Sequence, residues 1–105
     1  MGIRIWLDDL RTPPPGVWHI CRTAEEAIGL IEAGGVSFVA FDHDLGDGPG
    51  GNNRPLTGYD VALRIEQLAV AGKIGPVDYS IQSANPVGRD NIEAAMSSAR
   101  RFWSR

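Results

Sequence analysis

Phe38-Val39-Ala40-Phe41-Asp42-His43-Asp44-Leu45-Gly46-Asp47-Gly48 decides the fold, because an apolar run turns there abruptly into acids, a histidine and glycines. Ser37 to Phe41 has the aromatic and β-branched bias of a buried strand. Buried strands of α/β domains carry ligand groups just past their carboxyl ends. Asp42, His43 and Asp44 occupy that place. Side chains alternate along an extended chain, so Asp42 and Asp44 are expected to face one pocket with His43 pointing away, unless the backbone turns first. The plainer alternative is a strand followed by a solvated acidic turn. It loses ground because a second apolar run ends the same way: Ile3-Arg4-Ile5-Trp6-Leu7 leads straight into Asp8 and Asp9.

Between these strands, Arg11-Thr12-Pro13-Pro14-Pro15-Gly16 cannot be helical, since its prolines remove backbone donors and hold the chain extended. The connector leads to a short second strand, Val17 to Cys21. Both antiparallel and parallel pairing are within its reach, and parallel is expected. Thr23 with Glu26 forms a capping-box pattern, Ala27, Ile28, Leu30 and Ile31 supply an apolar helix face, and Gly34-Gly35 ends it. Gly48 to Pro55, rich in Gly, Asn and Pro, suits a mobile loop or lid. Thr57 with Asp60 repeats the capping pattern, and Val61, Ile65, Leu68 and Ala69 continue a second helix until Gly72.

Val77 to Ile81 reads as a fourth strand, placed at an edge because Pro76 precedes it, and it ends at Gln82-Ser83-Ala84-Asn85-Pro86. A third capping pattern, Asp90 with Glu93, opens a closing helix that buries Ile92, Ala95, Met96, Ala99 and Phe102 or Trp103. The alternation of strands and helices predicts one α/β domain over residues 1–105. Its expected core is a small parallel sheet of about four strands, three-layered with helices on both faces, and joined by right-handed crossovers. All strand ends then point one way.

Composition narrows the function. The 105 residues are 43% hydrophobic and 22% charged, enough for one core and not two. A net charge of -3 argues against an extended nucleic-acid surface, while leaving room for one RNA end or a phosphorylated small molecule in a pocket. The single cysteine, Cys21, permits no internal disulfide and reads as a core thiol. No apolar stretch approaches the roughly 20 residues that span a bilayer, and the N-terminus lacks a signal-peptide pattern, so no membrane partner and a cytoplasmic location are expected. Oligomeric state is not legible.

Under the parallel topology, Asp8, Asp9, Asp42, His43, Asp44, Ser83 and Asn85 converge on one sheet edge. Clustered carboxylates repel one another unless positive charge lies between them, and a divalent cation fits that need. Oxygen ligands without thiolates point to Mg²⁺, Mn²⁺ or Ca²⁺, with Mg²⁺ (or Mn²⁺) expected; a His43 ligand would admit a softer metal. Arg11, Arg54 and Arg89 are candidates to balance phosphate charge. His43 is either a general acid or base or a packed, hydrogen-bonded side chain. His19, mid-strand, reads as structural. Gly48, Gly50 and Gly51 lack phosphate-loop spacing. Asn85 reads equally as a phosphate contact or as the cap of the final helix, and Thr57 as an N-cap.

Asp8-Asp9, Asp42 and Ser83-Ala84 resemble the response-regulator receiver domain over most of the chain. The pattern is reduced: a Pro-rich connector stands in place of the first helix, and the receiver's fifth strand with its lysine is missing. Trp6-Leu7-Asp8-Asp9-Leu10-Arg11, Phe41-Asp42-His43-Asp44-Leu45-Gly46, Thr57-Gly58-Tyr59-Asp60 and Ser83-Ala84-Asn85-Pro86 bring the chain closer to the cyclic-phosphate processing receiver domains. That resemblance implies a metal-dependent phosphodiesterase acting on a cyclic phosphate, either an RNA 2′,3′-cyclic end or a cyclic nucleotide. Asp8, Asp9 and Asp42 would hold the cation, with Asp42, His43 and Gln82 at the catalytic positions. Arg11, Ser83, Asn85 and Asp44 would contact the phosphate. The resemblance also implies a histidine where this chain has Gln82, and glutamine is no proton donor at neutral pH. Two other readings follow: a signalling domain phosphorylated at Asp42, and a binding module without turnover.

Overall fold

The structure, a computed structural model, describes residues 2–8, 11–42, 57–83 and 85–104. Among these, β1 (Ile3–Leu7), β2 (His19–Cys21), β3 (Val36–Phe41) and β4 (Asp78–Ile81) form the strands. They make one sheet in the order β2-β1-β3-β4, with every neighbouring pair parallel. The helices are α1 (Ala24–Ala33), α2 (Gly58–Val70) and α3 (Pro86–Trp103). This is the receiver-like α/β arrangement expected. Among the described residues no helix is long and apolar enough to cross a membrane.

Register fixes which side chains share a face. Leu7 pairs with Cys21 and Phe41, and Phe41 pairs with Ile81. Ile5, Leu7, Cys21, Val39 and Phe41 are wholly buried. They pack in one cluster with Ala27 and Ile31 of α1, Val61 and Ile65 of α2, and Ile92 and Met96 of α3. All three helices therefore cover the same face, which corrects the expectation of helices on both. The reason lies in the path of the chain. The crossovers β2 to β3 and β3 to β4 step in one direction across the sheet, and connections of one hand then place α1 and α2 on one side. The step from β1 back to β2 runs the other way, and its described residues 11–18 contain no helix.

The second face carries Arg4, Trp6 and Phe38, and the connector lays Trp18 over it. The Arg4 guanidinium stacks 4.1 Å from the Trp18 ring centroid and 5.5 Å from that of Phe38. Trp18 meets Trp6 and Phe38 edge to face, with centroids 5.6 and 5.9 Å apart. Such contacts shield part of an uncovered sheet face without adding a layer.

The helix starts follow the caps. The Thr23 hydroxyl accepts the Glu26 N–H at 3.2 Å, and the α1 C-cap Gly34 takes φ 88°, which disfavours any residue with a Cβ. The Asp60 carboxylate accepts the Thr57 N–H at 2.7 Å, as the capping pattern predicts. The third pattern needs correction. The α3 helix starts at Pro86, with Asn85 as its cap accepting the Gly88 N–H at 3.1 Å, so Asp90 and Glu93 lie inside it. Proline at the first helical position presets φ and needs no donor, which makes Asn85-Pro86 the stronger start. Glu93 instead accepts the Tyr79 hydroxyl, tying α3 to β4. Burial, and then Glu93, hold that phenol above its ordinary range. Strand two is shorter than expected: Val17 lies outside it, and His19 is exposed at its first residue rather than buried in mid-strand.

Cys21 is a buried free thiol. Burial, with a smaller push from the Glu26 carboxylate, raises its pKa from 9.0 to about 11. The folded chain keeps this proton where the unfolded chain has begun to lose it. The thiol's contribution to stability is therefore complete below the unfolded value and is lost as pH climbs through the folded one. In urea titrations, Cys21→Ala should lack the decline in stability that the wild type shows between pH 9.0 and about 11. At about pH 8, Cys21 should react with a thiol probe at least roughly a hundredfold more slowly than an unhindered thiol.

Candidate functional site

The parallel register brings three side chains to one level. The Asp42 N–H donates to the Leu7 carbonyl at 3.0 Å and the Gln82 N–H to the Phe41 carbonyl at 2.9 Å, so Asp8, Asp42 and Gln82 each follow their strands in step. Ser83 comes next along the chain. Asp8 is 1% exposed, Asp42 8% and Ser83 4%. Buried carboxylates require charge partners and hydrogen bonds.

Arg11 supplies both. Its backbone N–H donates to Asp8 Oδ1 at 2.9 Å, and its Nε donates to Asp8 Oδ2 at 2.9 Å. Its Nη2 lies 3.6 Å from Asp42 Oδ2 and donates to the Gln82 carbonyl at 3.2 Å. One guanidinium thus links the ends of β1, β3 and β4. Arg11, a candidate phosphate contact, here stands as the counter-charge of Asp8 and Asp42.

Two further arginines frame this edge. Arg22 Nη1 donates to the carbonyls of Asp8 at 2.9 Å and Arg11 at 2.8 Å. Arg89 Nη1 donates to the Ile81 carbonyl at 2.9 Å and the Ser83 carbonyl at 3.4 Å. Arg22 escaped the sequence reading, although it follows β2 directly, as Asp8 follows β1. The same rule about strand ends would have found it. Ser83 Oγ accepts the Asn85 N–H at 3.1 Å, and its own hydroxyl proton can donate elsewhere. Asn85 takes the capping role. The Gln82 side-chain Nε2 is buried and finds no acceptor among the described residues. Asp9, His43, Asp44 and the loop from Gly48 to Pro55 lie outside the described residues.

Among the described residues no three His, Cys, Asp or Glu side chains gather as a metal-holding group. The donor chemistry nevertheless suits a hard cation, because Asp8 and Asp42 offer only oxygen and already stabilise the positive charge of Arg11 between them. A separate cleft of about 460 Å³ opens at the opposite end of the sheet, lined by Gly2, Gly35, Ser37, Lys73 and Pro76 among others. Lys73 is its one charged side chain, so the chemistry concentrates at the carboxyl edge.

Residues 3–98 match a family model described as Cyclic-phosphate processing Receiver domain. No curated protein matches the chain, and no solved structure does.

Trp6 Nε1 donates to the same Arg11 carbonyl as Arg22, at 3.0 Å, so the Trp6 share of the emission, isolated by replacing Trp18 and Trp103 with Phe, reports on this edge. Arg22→Met removes two charge-assisted hydrogen bonds from a partly exposed side chain. It should lower stability by about 1–2 kcal/mol in urea titrations and shift native-state emission. An unchanged spectrum and midpoint would show that Arg22 does not hold the edge together.

Proposed function

The chain belongs to the cyclic-phosphate processing receiver domain family, and on that premise we propose that it hydrolyses a cyclic phosphate at the carboxyl edge of its sheet. The observation that supports this most is one guanidinium shared by two buried carboxylates, beside a buried amide donor that has no acceptor among the described residues. The substrate is a phosphorylated small molecule or an RNA end bearing a cyclic phosphate. In this reading Asp8, Asp9 and Asp42 hold Mg²⁺ (or Mn²⁺). Such an ion, when bound, neutralises phosphoryl charge and makes a coordinated water more acidic.

The chain's own groups do the rest. Hydrolysis forms a bond from water oxygen to phosphorus and breaks one ring P–O bond. The ring oxygen takes a proton, and a phosphomonoester remains. Negative charge on the phosphoryl oxygens grows along that path, so donors fixed in advance bind the later state more strongly than the substrate. Arg11, Arg22 and Arg89 supply guanidinium N–H groups, Gln82 its amide, and Ser83 its hydroxyl. Asp44 orients the ligand, and His43 is the group that moves the proton to the departing oxygen.

Gln82 favours a second reading, a binding module, since its amide donates a hydrogen bond without transferring a proton. Calorimetric titration with Mg²⁺ and Mn²⁺ should show binding weakened more than about tenfold in Asp8→Asn and Asp42→Asn. Turnover of a 2′,3′-cyclic nucleotide should fall at least about a hundredfold in both. Gln82→His should raise turnover. If wild type and Gln82→His bind the nucleotide and neither hydrolyses it with any divalent cation, the hydrolase reading fails and the binding module stands.

A further inference from the structure

Arg11 is fixed at its backbone and solvated along its side chain. Trp6 Nε1 and Arg22 Nη1 both donate to its carbonyl, at 3.0 and 2.8 Å, while its own N–H is committed to Asp8 Oδ1. The side chain beyond is 56% exposed, although the carboxylate it reaches is 1% exposed. Asp8 is thus the buried partner and Arg11 the solvated one, whose guanidinium can exchange its protein acceptors for water or a ligand. It occupies the place where carboxylates from neighbouring strands meet, which is also the place they offer to any other cation.

A guanidinium and a divalent ion draw on the same Asp8 Oδ2 lone pairs and the same negative charge, so each weakens the hold of the other. The anchored backbone keeps the departing side chain beside the edge. Its N–H fork then matches a phosphate in geometry and charge, as it matched the carboxylate.

We propose that Arg11 is an exchangeable counter-ion. Its guanidinium holds Asp8 until a divalent cation loads onto the carboxylates, and then turns outward to the phosphate of the ligand. The exchange rests on the reading of this edge as a cyclic-phosphate site, and it adds a linkage that reading does not contain. Because the metal frees the phosphate-binding group, metal and phosphate each strengthen binding of the other, and by the same factor.

The test uses Mg²⁺ and inorganic phosphate on the full chain, with turnover of a 2′,3′-cyclic nucleotide followed separately. Arg11→Met removes the competitor and should bind Mg²⁺ about tenfold more tightly than wild type, from the charge-assisted hydrogen bonds no longer displaced. Saturating Mg²⁺ should tighten phosphate binding several-fold more in the wild type than in Arg11→Met, where only the direct attraction between ion and phosphate remains. In the wild type, which needs no substitution to fold, the ¹⁵N resonance of Arg11 Nε should move toward the value of a free arginine as Mg²⁺ is added. Equal or weaker Mg²⁺ binding by folded Arg11→Met, or an Nε resonance unmoved at saturating Mg²⁺, would overturn the exchange. Either result leaves hydrolysis to be judged by turnover alone. Tighter metal binding with a moving resonance and no turnover would uphold the exchange while the hydrolase reading fell.

Discussion

A carboxylate removed from water needs positive charge and hydrogen bonds close by, and at Asp8 that requirement organises the surrounding chain. Arg11, three residues on, answers it with its backbone N–H and its Nε together. This double attachment ties Arg11 back to the end of β1. The Arg11 carbonyl, turned outward by the same geometry, receives Trp6 from β1 and Arg22 from the end of β2. One buried charge thereby couples the first strand, the connector and the neighbouring strand. The ion pair alone contributes modestly, because the Arg11 side chain is largely solvated and screened. The geometry it imposes matters more than its energy.

The one-sided helical cover has its own logic. A sheet of four strands with all helices on one face leaves alternate residues of β1 and β3 without a helical partner. The chain fills the gap with large rings: Trp18 packs against Trp6 and Phe38, and Arg4 lies across them. The connector is thus also a cover, and its prolines hold it extended without the backbone donors that a helix requires. Asp8 and Asp42, one step beyond Leu7 and Phe41, continue the β1 and β3 ends into the charged edge.

Much of this was legible in the sequence because it is local. Apolar runs ending in acids marked β1 and β3, Thr23 and Thr57 marked two helix starts, and Pro76 marked an edge strand. The errors came from competition and from direction. Asp90 with Glu93 has the spacing of a cap, but Asn85-Pro86 offers a better one, and a local pattern does not reveal its rival. The number of layers depends on which way each crossover steps, which periodicity does not encode. At the site, Arg11 supplies positive charge between Asp8 and Asp42. That Arg11 lies between them follows from strand pairing, which sets Asp8 and Asp42 at one level and is not encoded locally. Arg22 was missed because attention at strand ends went to acids, although the positional rule is indifferent to sign.

The edges of the sheet carry a consequence for behaviour at high concentration. The outer strands β2 and β4 are three and four residues long, and prolines precede both. An edge strand exposes a row of unpaired backbone donors and acceptors on which another chain can extend the ladder, and a long flat edge invites fibre growth. Here each row ends before it offers a template of useful length, and the proline rings deny the approach a continuation. The stiffness that carries the chain from β1 to β2 also guards the molecule against polymerising through its sheet.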